Sequence, residues 1–549
     1  MKFNRLVLAL VAIAGVAPVP AIHAQTLDPH TLTLFHRPPK VWPTYNGDYS
    51  GRRFSTLKQI NQGNLGQLKL AWMYRITGIP PLRGVGSPQI KSTPLLVDGI
   101  LYFTVADHVF AVNAHTGDLI WRYDWVDHGG HLEGQRGVGM YGQWLYFMTP
   151  DDWLISLEAK NGKERWRKKI ADVTLQYFSS MAPLVVKNHV LVGVGGDAMD
   201  VPGFLEARDP ETGALQWRWW TEPLKPGDPG SDTWPNQASM RHGGGMTWMP
   251  GTYDPKLNLL YWGTGNANPV YAGQSRKGAN LWTASIVALN PDTGKLVWWF
   301  QASPHDTHDW DNVETPVLFN ATIDGKPRKL LAQATRCGYF FVLDRTNGKS
   351  LVSKPFSGGN WSEGIDKKGQ PIPNPEKQPL PDGSLINTPA GGGTNWPPPS
   401  YDPQTELFYV NAQLGYSINY LYDTSAHPQG YGGGGQSLDT RSALLALDIR
   451  TGDARWKHIA GGKDGLVHSA GMTGGILTTA GHLLFTGDAG RLVAFDPASG
   501  KILWSQILAK NVSNGPETFL LNGKQYLVVG AGDTLYAFTL AGKSTPQNP

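Results

Sequence analysis

Apolar and polar positions along the chain fall into short runs rather than long helical stripes. A repeated pattern organises them: a hydrophobic strand, Ala-x-Asp/Asn, two or three residues, Thr/Ser/Asn-Gly, then a strand carrying Trp. It appears as AVNAHTGDLIW ending at Trp121, LEAKNGKERW at Trp166, ARDPETGALQW at Trp217 and ALNPDTGKLVW at Trp298. LDRTNGKSLV, ALDIRTGDARW at Trp456 and AFDPASGKILW at Trp504 follow, with a degenerate AFTLAG near the C-terminus. Each copy reads as a hairpin whose Gly takes positive φ while Asp or Asn bonds the turn backbone. The turn glycines, at 117, 162, 213, 294, 348, 452, 500 and 542, are separated by 45, 51, 81, 54, 104, 48 and 42 residues. Extra chain therefore precedes the fourth and sixth copies. A period of 40–50 residues, with room for four short strands and a Trp to pack between sheets, predicts an all-β, eight-bladed β-propeller. The expected organisation is one propeller over residues 25–549, with long loops at about 355–440, including PDGSLINTPAGGGTNWPPPS and GYGGGGQS.

Composition narrows the function. The 549 residues include 66 Gly, 41 Pro and 21 Trp, and Gly and Pro are spread throughout, as many turns require. The formal charge of +4 is small for this length and no basic block occurs, so nucleic acid is not an expected partner. The N-terminal MKFNRLVLALVAIAGVAPVPAIHAQ has Lys2 and Arg5 ahead of an apolar stretch and small residues before a cut after Ala24. This predicts a secretory signal over residues 1–24 and a periplasmic protein; its removal lowers the formal charge from +4 to +2. No later apolar run reaches eighteen residues, so no membrane span is expected. The single cysteine, Cys337, excludes an internal disulfide and a CxxCH haem attachment.

The chemistry gathers in three stretches: RHGGGMTWMPGTYDPKLNLLYWGTGNANP (241–269), SPHDTHDWDNVET (303–315) and LLAQATRCGYFFVLDRTNGK (330–349). By composition alone the second is a solvated loop, a metal site or a base. With these motifs in this order, from TYNGDYSGRRFSTLKQINQGNLGQLKLAW to the C-terminus, the chain resembles the quinoprotein alcohol dehydrogenases, eight-bladed propellers that use pyrroloquinoline quinone (PQQ) and a metal ion.

The resemblance implies roles residue by residue. Asn266 of the GTGN loop matches a metal ligand, an amide oxygen suited to a hard cation. Trp248 matches the indole on which the quinone stacks. Asp309 matches the catalytic aspartate, which takes the alcohol proton as hydride moves to the quinone, and it also borders the metal. Asp311, two residues on, marks lanthanide-using members, where a trivalent ion favours another carboxylate over the small residue of calcium-using relatives. A nearby cation would hold both aspartates ionised. Arg336 matches an arginine beside the quinone oxygens, and Arg136 one that pairs with a cofactor carboxylate. Ser180, Asn395 and Trp396 match further cofactor-facing positions, while His305 and Asp306 read as braces of the loop.

Three features depart from the family pattern. Its metal-binding glutamate falls on Ala198 in GVGGDAMDVPG, leaving Asp197, or else Asp200, to supply a carboxylate. Its adjacent cysteines, whose disulfide covers one quinone face, fall on Gly130 and His131. A glutamate that contacts the cofactor is replaced by Lys91, which suits a PQQ carboxylate instead. The expected function is a periplasmic PQQ- and lanthanide- or calcium-dependent oxidation of an alcohol, with electrons passed to an external acceptor such as a cytochrome c. The alternative is a non-catalytic propeller, an envelope scaffold or a PQQ- or metal-binding protein.

Overall fold

The computed structural model describes residues 26–80, 87–132, 134–196, 200–461 and 471–541. These hold eight sheets of four or five strands and one two-stranded sheet. In chain order seven of the eight span residues 95–124, 139–169, 184–220, 252–301, 317–355, 400–459 and 472–507. The eighth joins three C-terminal strands between 517 and 540 to an N-terminal one. Leu68–Arg75 pairs antiparallel with Thr534–Leu540, so the first long strand of the chain completes the last sheet. A succession of antiparallel meanders closed in this way is a β-propeller, and closure removes the open edges a flat array would leave.

The repeated Trp does not pack on its own hairpin. Among the described residues Trp121, Trp166, Trp217, Trp298 and Trp456 lie on the turn glycine of the following sheet, and all but Trp166 donate to a carbonyl there. Trp121 Nε1 donates to Ala159 O (2.9 Å), Trp217 to Pro291 O (2.7 Å), Trp298 to Arg345 O (3.2 Å) and Trp456 to Pro497 O (2.9 Å). Trp72, outside any repeat, does the same from the closing strand, reaching Ala114 O at 3.1 Å. The turn glycines are required twice over. Gly294, for example, has φ +69°, and a Cβ there would stand 2.5 Å from the ring of Trp217. Gly542 lies outside the described residues.

One end of the propeller is held by residues 37–55, which touch sheet after sheet around the ring. Trp42 pairs with Leu96 of the first sheet, and Tyr49 Oη donates to Val185 O of the third. The backbone N–H groups of Tyr253, Leu318, Tyr401, Thr478 and Leu520 then donate to the carbonyls of Tyr49, Ser50, Arg52, Arg53 and Pro39. Those donors belong to the fourth to eighth sheets, so the SGRRFS stretch is a hub. Gly51 (φ +75°) can only be glycine here, because a Cβ would lie 2.8 Å from Thr315.

The extra chain falls where the repeat gaps place it. Residues 221–251 precede the fourth sheet and carry the helix Gln237–His242. Of the stretch 355–440, expected as loops, Leu407–Leu421 and Gly433–Asp448 are instead long paired strands that continue the sixth sheet outward. The GYGGGG run hid the second of them, since glycine weakens any strand signal. Among the described residues no helix is long and apolar enough to cross a membrane.

Candidate active site

The loop 303–315 runs from the last strand of the fourth sheet, Leu296–Gln301, to the first of the fifth, Val317–Ile323. Its fold is fixed from within. Asp306 accepts from Ser303 Oγ (3.1 Å), the Trp310 N–H (3.1 Å) and the His308 N–H (3.4 Å). His308 stacks on Trp310 with ring centres 4.4 Å apart, and its Nε2 meets Lys377 O at 3.0 Å. His305 Nδ1 meets Gly278 O at 2.8 Å. Burial lowers the pKa of both imidazoles, that of His305 to about 4, with the Arg276 charge adding to the effect there. Both therefore stay neutral at pH 7 and act as braces.

Asp309 and Asp311 emerge from this frame. Asp309 has φ +64°, a strained setting that turns its carboxylate to the more open side, where it keeps 22% exposure. Asp311 is buried at 3% exposure. Arg336 bridges them, with Nη1 2.8 Å from Asp311 Oδ2 and Nη2 3.4 Å from Asp309 Oδ2. Asp311 also accepts from Trp248 Nε1 (3.2 Å) and the Asn266 N–H (3.0 Å). One carboxylate thus gathers three segments: the GTGN loop, the GGGMTW stretch and the ATRCG turn. Close approach explains the GTGN glycine, since a Cβ on Gly265 would lie 2.4 Å from Asp311 Oδ1. Burial raises the pKa of Asp311, while the Arg336 charge and the donated hydrogen bonds oppose the shift.

The donor set fits a hard cation. Asn266 is fully buried and its Oδ1 has no hydrogen-bond partner, an uncompensated acceptor on the residue whose N–H binds the Asp311 carboxylate. Asp311 has both oxygens engaged, so it would serve a cation through the remaining lone pairs. Asp197 and Ala198 lie outside the described residues. Asp200 is committed elsewhere: Oδ2 accepts from Gly430 N–H at 2.8 Å and Oδ1 stands 3.3 Å from His242 Nδ1.

A second cluster adjoins through Trp248. The Arg136 guanidinium carbon lies 4.8 Å from the Trp248 ring and 4.9 Å from the Trp396 ring. Its Nη1 donates to Ser180 O (2.9 Å) and Oγ (2.5 Å). Aromatic faces beside a cation suit a planar, acidic ring system. Asn395 stays with its own loop, accepting from Trp396 N–H at 2.8 Å and donating to Gly391 O at 3.4 Å. Lys91 shares with Trp396 and Lys510 the lining of a cavity of about 660 Å³. At Gly130 a Cβ would stand 2.3 Å from the Pro150 backbone, so the loop as folded admits no cysteine there. His131 packs on Phe178 with ring centres 5.2 Å apart.

Two buried groups escaped the sequence reading. Arg276 ties the Asn266 loop to the Asp309 loop. Its Nε donates to Pro269 O (2.9 Å), Nη2 to Val270 O (2.7 Å) and Asp306 O (2.5 Å), and Nη1 to Asn280 Oδ1 (2.9 Å). Glu314 is buried beneath Arg336 with neither oxygen hydrogen-bonded, and burial holds its carboxyl well above the usual range. Neither residue stands in a pattern that marks it as special.

Comparison with known proteins decides the family. Residues 42–382 match the family model described as PQQ, the glucose/ethanol/alcohol dehydrogenase β-propeller domain. The chain belongs to the PQQ-dependent alcohol dehydrogenase family. Residues 440–544, with the later docking turns, also match the model of the outer membrane protein assembly factor BamB. The quinohemoprotein alcohol dehydrogenase of Comamonas testosteroni is 35% identical over 561 residues, covering 92% of this quinoprotein and 76% of that one. The quinoprotein alcohol dehydrogenase PedH of Pseudomonas putida is 34% identical over 568 residues, covering 96% and 91%. Among solved structures, quinohemoprotein alcohol dehydrogenase ADHIIG from Pseudomonas putida HK5 superposes with a TM-score of 0.83 at 31% identity, covering 93% of this chain and 82% of that one. A europium-containing methanol dehydrogenase gives 0.79 at 29% identity, covering 92% and 99%.

Proposed function

We propose that this quinoprotein is a periplasmic dehydrogenase that oxidises an alcohol to an aldehyde or ketone and passes electrons to an external acceptor, a cytochrome c being the expected one. The observation that carries the reading is the convergence of Asp309, Asp311, Asn266, Trp248 and Arg336 around one buried carboxylate, in a chain 34–35% identical over most of its length to alcohol dehydrogenases. When bound, PQQ supplies the two-electron acceptor and the cation polarises it.

The chain's own residues divide the remaining work. Asp309, the more exposed of the pair, accepts the hydroxyl proton of the alcohol. Asp311 anchors Arg336 and the Trp248 indole, and with Asn266 and Asp309 forms the cation's oxygen donors. Arg336 keeps a positive charge at the carboxylate pair, where it stabilises negative charge developing on a neighbouring oxygen. Arg136, Ser180, Trp248 and Trp396 would hold the cofactor's plane and acidic groups, and Lys91 would answer a further acidic group. The extra carboxylate Asp311, together with the likeness to a europium-containing enzyme, favours a lanthanide over calcium. The N-terminal apolar segment supports export.

The test is dye-linked turnover of purified protein loaded with PQQ and either a lanthanide or a calcium salt, across primary and secondary alcohols. Alcohol-dependent dye reduction is expected, faster with the lanthanide. Saturable PQQ binding with no turnover on any alcohol or ion would return the protein to the binding class.

A further inference from the structure

Among the described residues the ring of docked tryptophans has one gap. In the turns where the repeat is complete, the fourth residue after the glycine is Trp: 121, 166, 217, 298, 456 and 504. After Gly348 it is Val352. Between the fifth and sixth sheets no indole covers the turn glycine. Val352 Cγ1 and the Lys354 Cβ approach Gly452 instead, at 3.1 and 2.5 Å from the position of a Cβ there. The phenols that assist other seams are missing too. Tyr102, Tyr146, Tyr261 and Tyr409 each donate to a turn carbonyl of the next sheet, and Ile449, the matching carbonyl of the sixth sheet, receives neither kind of donor.

What remains is a crevice of about 380 Å³ at the outer end of this seam, within the size range of small-molecule sites. Its walls are Phe356, Leu414, Leu445 and Leu447, and Lys354 and Lys457 stand at its lips. Lys354 is ion-paired with Asp453 at 3.0 Å, with the two side chains 47% and 60% exposed. Two lysines against one aspartate leave the mouth net positive above an apolar slot in the seam that carries no docked indole.

The geometry points to a ligand site in this seam for a small aromatic ring carrying a carboxylate. The ring enters the crevice beside the Lys354 stem, between Phe356, Leu414, Leu445 and Leu447, and the carboxylate meets the lysine lips. The site is separate from the Asp309 centre and does not rest on the function proposed for it.

Calorimetric titration of the PQQ- and cation-loaded protein with indole-3-acetate, and with uncharged indole as comparator, tests the assignment. Indole-3-acetate should bind saturably at one site. Ala454→Phe, which adds bulk at the crevice from an exposed position, should weaken binding at least tenfold, and Val352→Trp should do the same by restoring the missing side chain. The double variant Lys354→Gln and Lys457→Gln should weaken indole-3-acetate at least threefold and leave indole unchanged. The far-UV circular dichroism spectrum and a cooperative thermal transition should be retained in every variant, which reports intact folding. No saturable binding in the millimolar range, or undiminished binding in both Ala454→Phe and Val352→Trp, overturns the site. Equal loss of indole and indole-3-acetate in the lysine variant overturns the role of the carboxylate.

Discussion

The outer seams and the Asp311 centre are built on opposite economies. At a seam such as Trp298 over Gly348, the indole is buried and its N–H answered by Arg345 O, so nothing is left wanting. Tyr261 donates to that same carbonyl, and the Arg345 side chain pairs with buried Asp254 at 2.8 Å. At the centre, Asn266 Oδ1 and both Glu314 oxygens are buried without hydrogen bonds, and two carboxylates share one guanidinium. Each such group costs about 1–3 kcal/mol in an apolar setting. The Trp298 seam is complete as folded. The centre is a set of buried oxygen donors whose chemistry fits a hard cation.

Variants should separate the two regions. The largest effect is expected from Asp309→Asn, with dye-linked kcat falling by about 10²–10⁴-fold and the thermal midpoint little changed. A large drop in midpoint would mean that Asp309 holds the fold rather than the substrate. Trp298→Ala should do the reverse. Loss of a docked indole costs about 3–5 kcal/mol, read from chemical denaturation, while the protein that remains folded keeps its activity per bound PQQ.

Arg276→Lys lies between the regions, since Arg276 serves the centre without belonging to it. Lysine cannot reproduce a fork spread over Pro269, Val270, Asp306 and Asn280, so cation affinity should fall by about 10–100-fold, measured by metal titration. Unchanged affinity would show that the two loops hold their places without it.

The smallest effect is a pH dependence. His305 titrates near pH 4 in the folded protein, and His308 is lowered as well, against about 6.5 in the unfolded chain. Between those values the unfolded chain binds more protons, so the stability these imidazoles allow above pH 6.5 is lost as pH falls toward 4. His305→Gln and His308→Gln should each flatten that slope in midpoint-versus-pH curves; an unchanged slope would place the acid sensitivity elsewhere.

The same division explains what the sequence disclosed. The seams are local and periodic, so turn glycines and tryptophans announced a propeller and the positions of its long insertions. That each Trp serves the next sheet, and that Trp72 joins the set from the closing strand, depends on ring closure and left no local mark. The centre was legible only through its resemblance to a family, because Asp309, Asp311, Asn266 and Arg336 come from different stretches that meet only in the fold. Arg276 and Glu314 stayed hidden: one stands in a loop of mixed polarity, and the other reads as a surface acid before Pro316. Asn395 matched a family position, yet its amide is spent within its own loop.

The central claim is that the unsatisfied centre is completed by PQQ and a hard cation. The thermal midpoint of wild-type protein and of Asn266→Ala, each with and without PQQ plus a lanthanide salt, tests it most directly. Ligand at about 100 times its Kd adds about 2.7 kcal/mol, which for a chain of this size is a shift of about 2–3 °C. The account predicts that shift in wild type, dependent on PQQ and the ion together, and its loss in Asn266→Ala. Equal shifts in both proteins, or none in wild type, would contradict it.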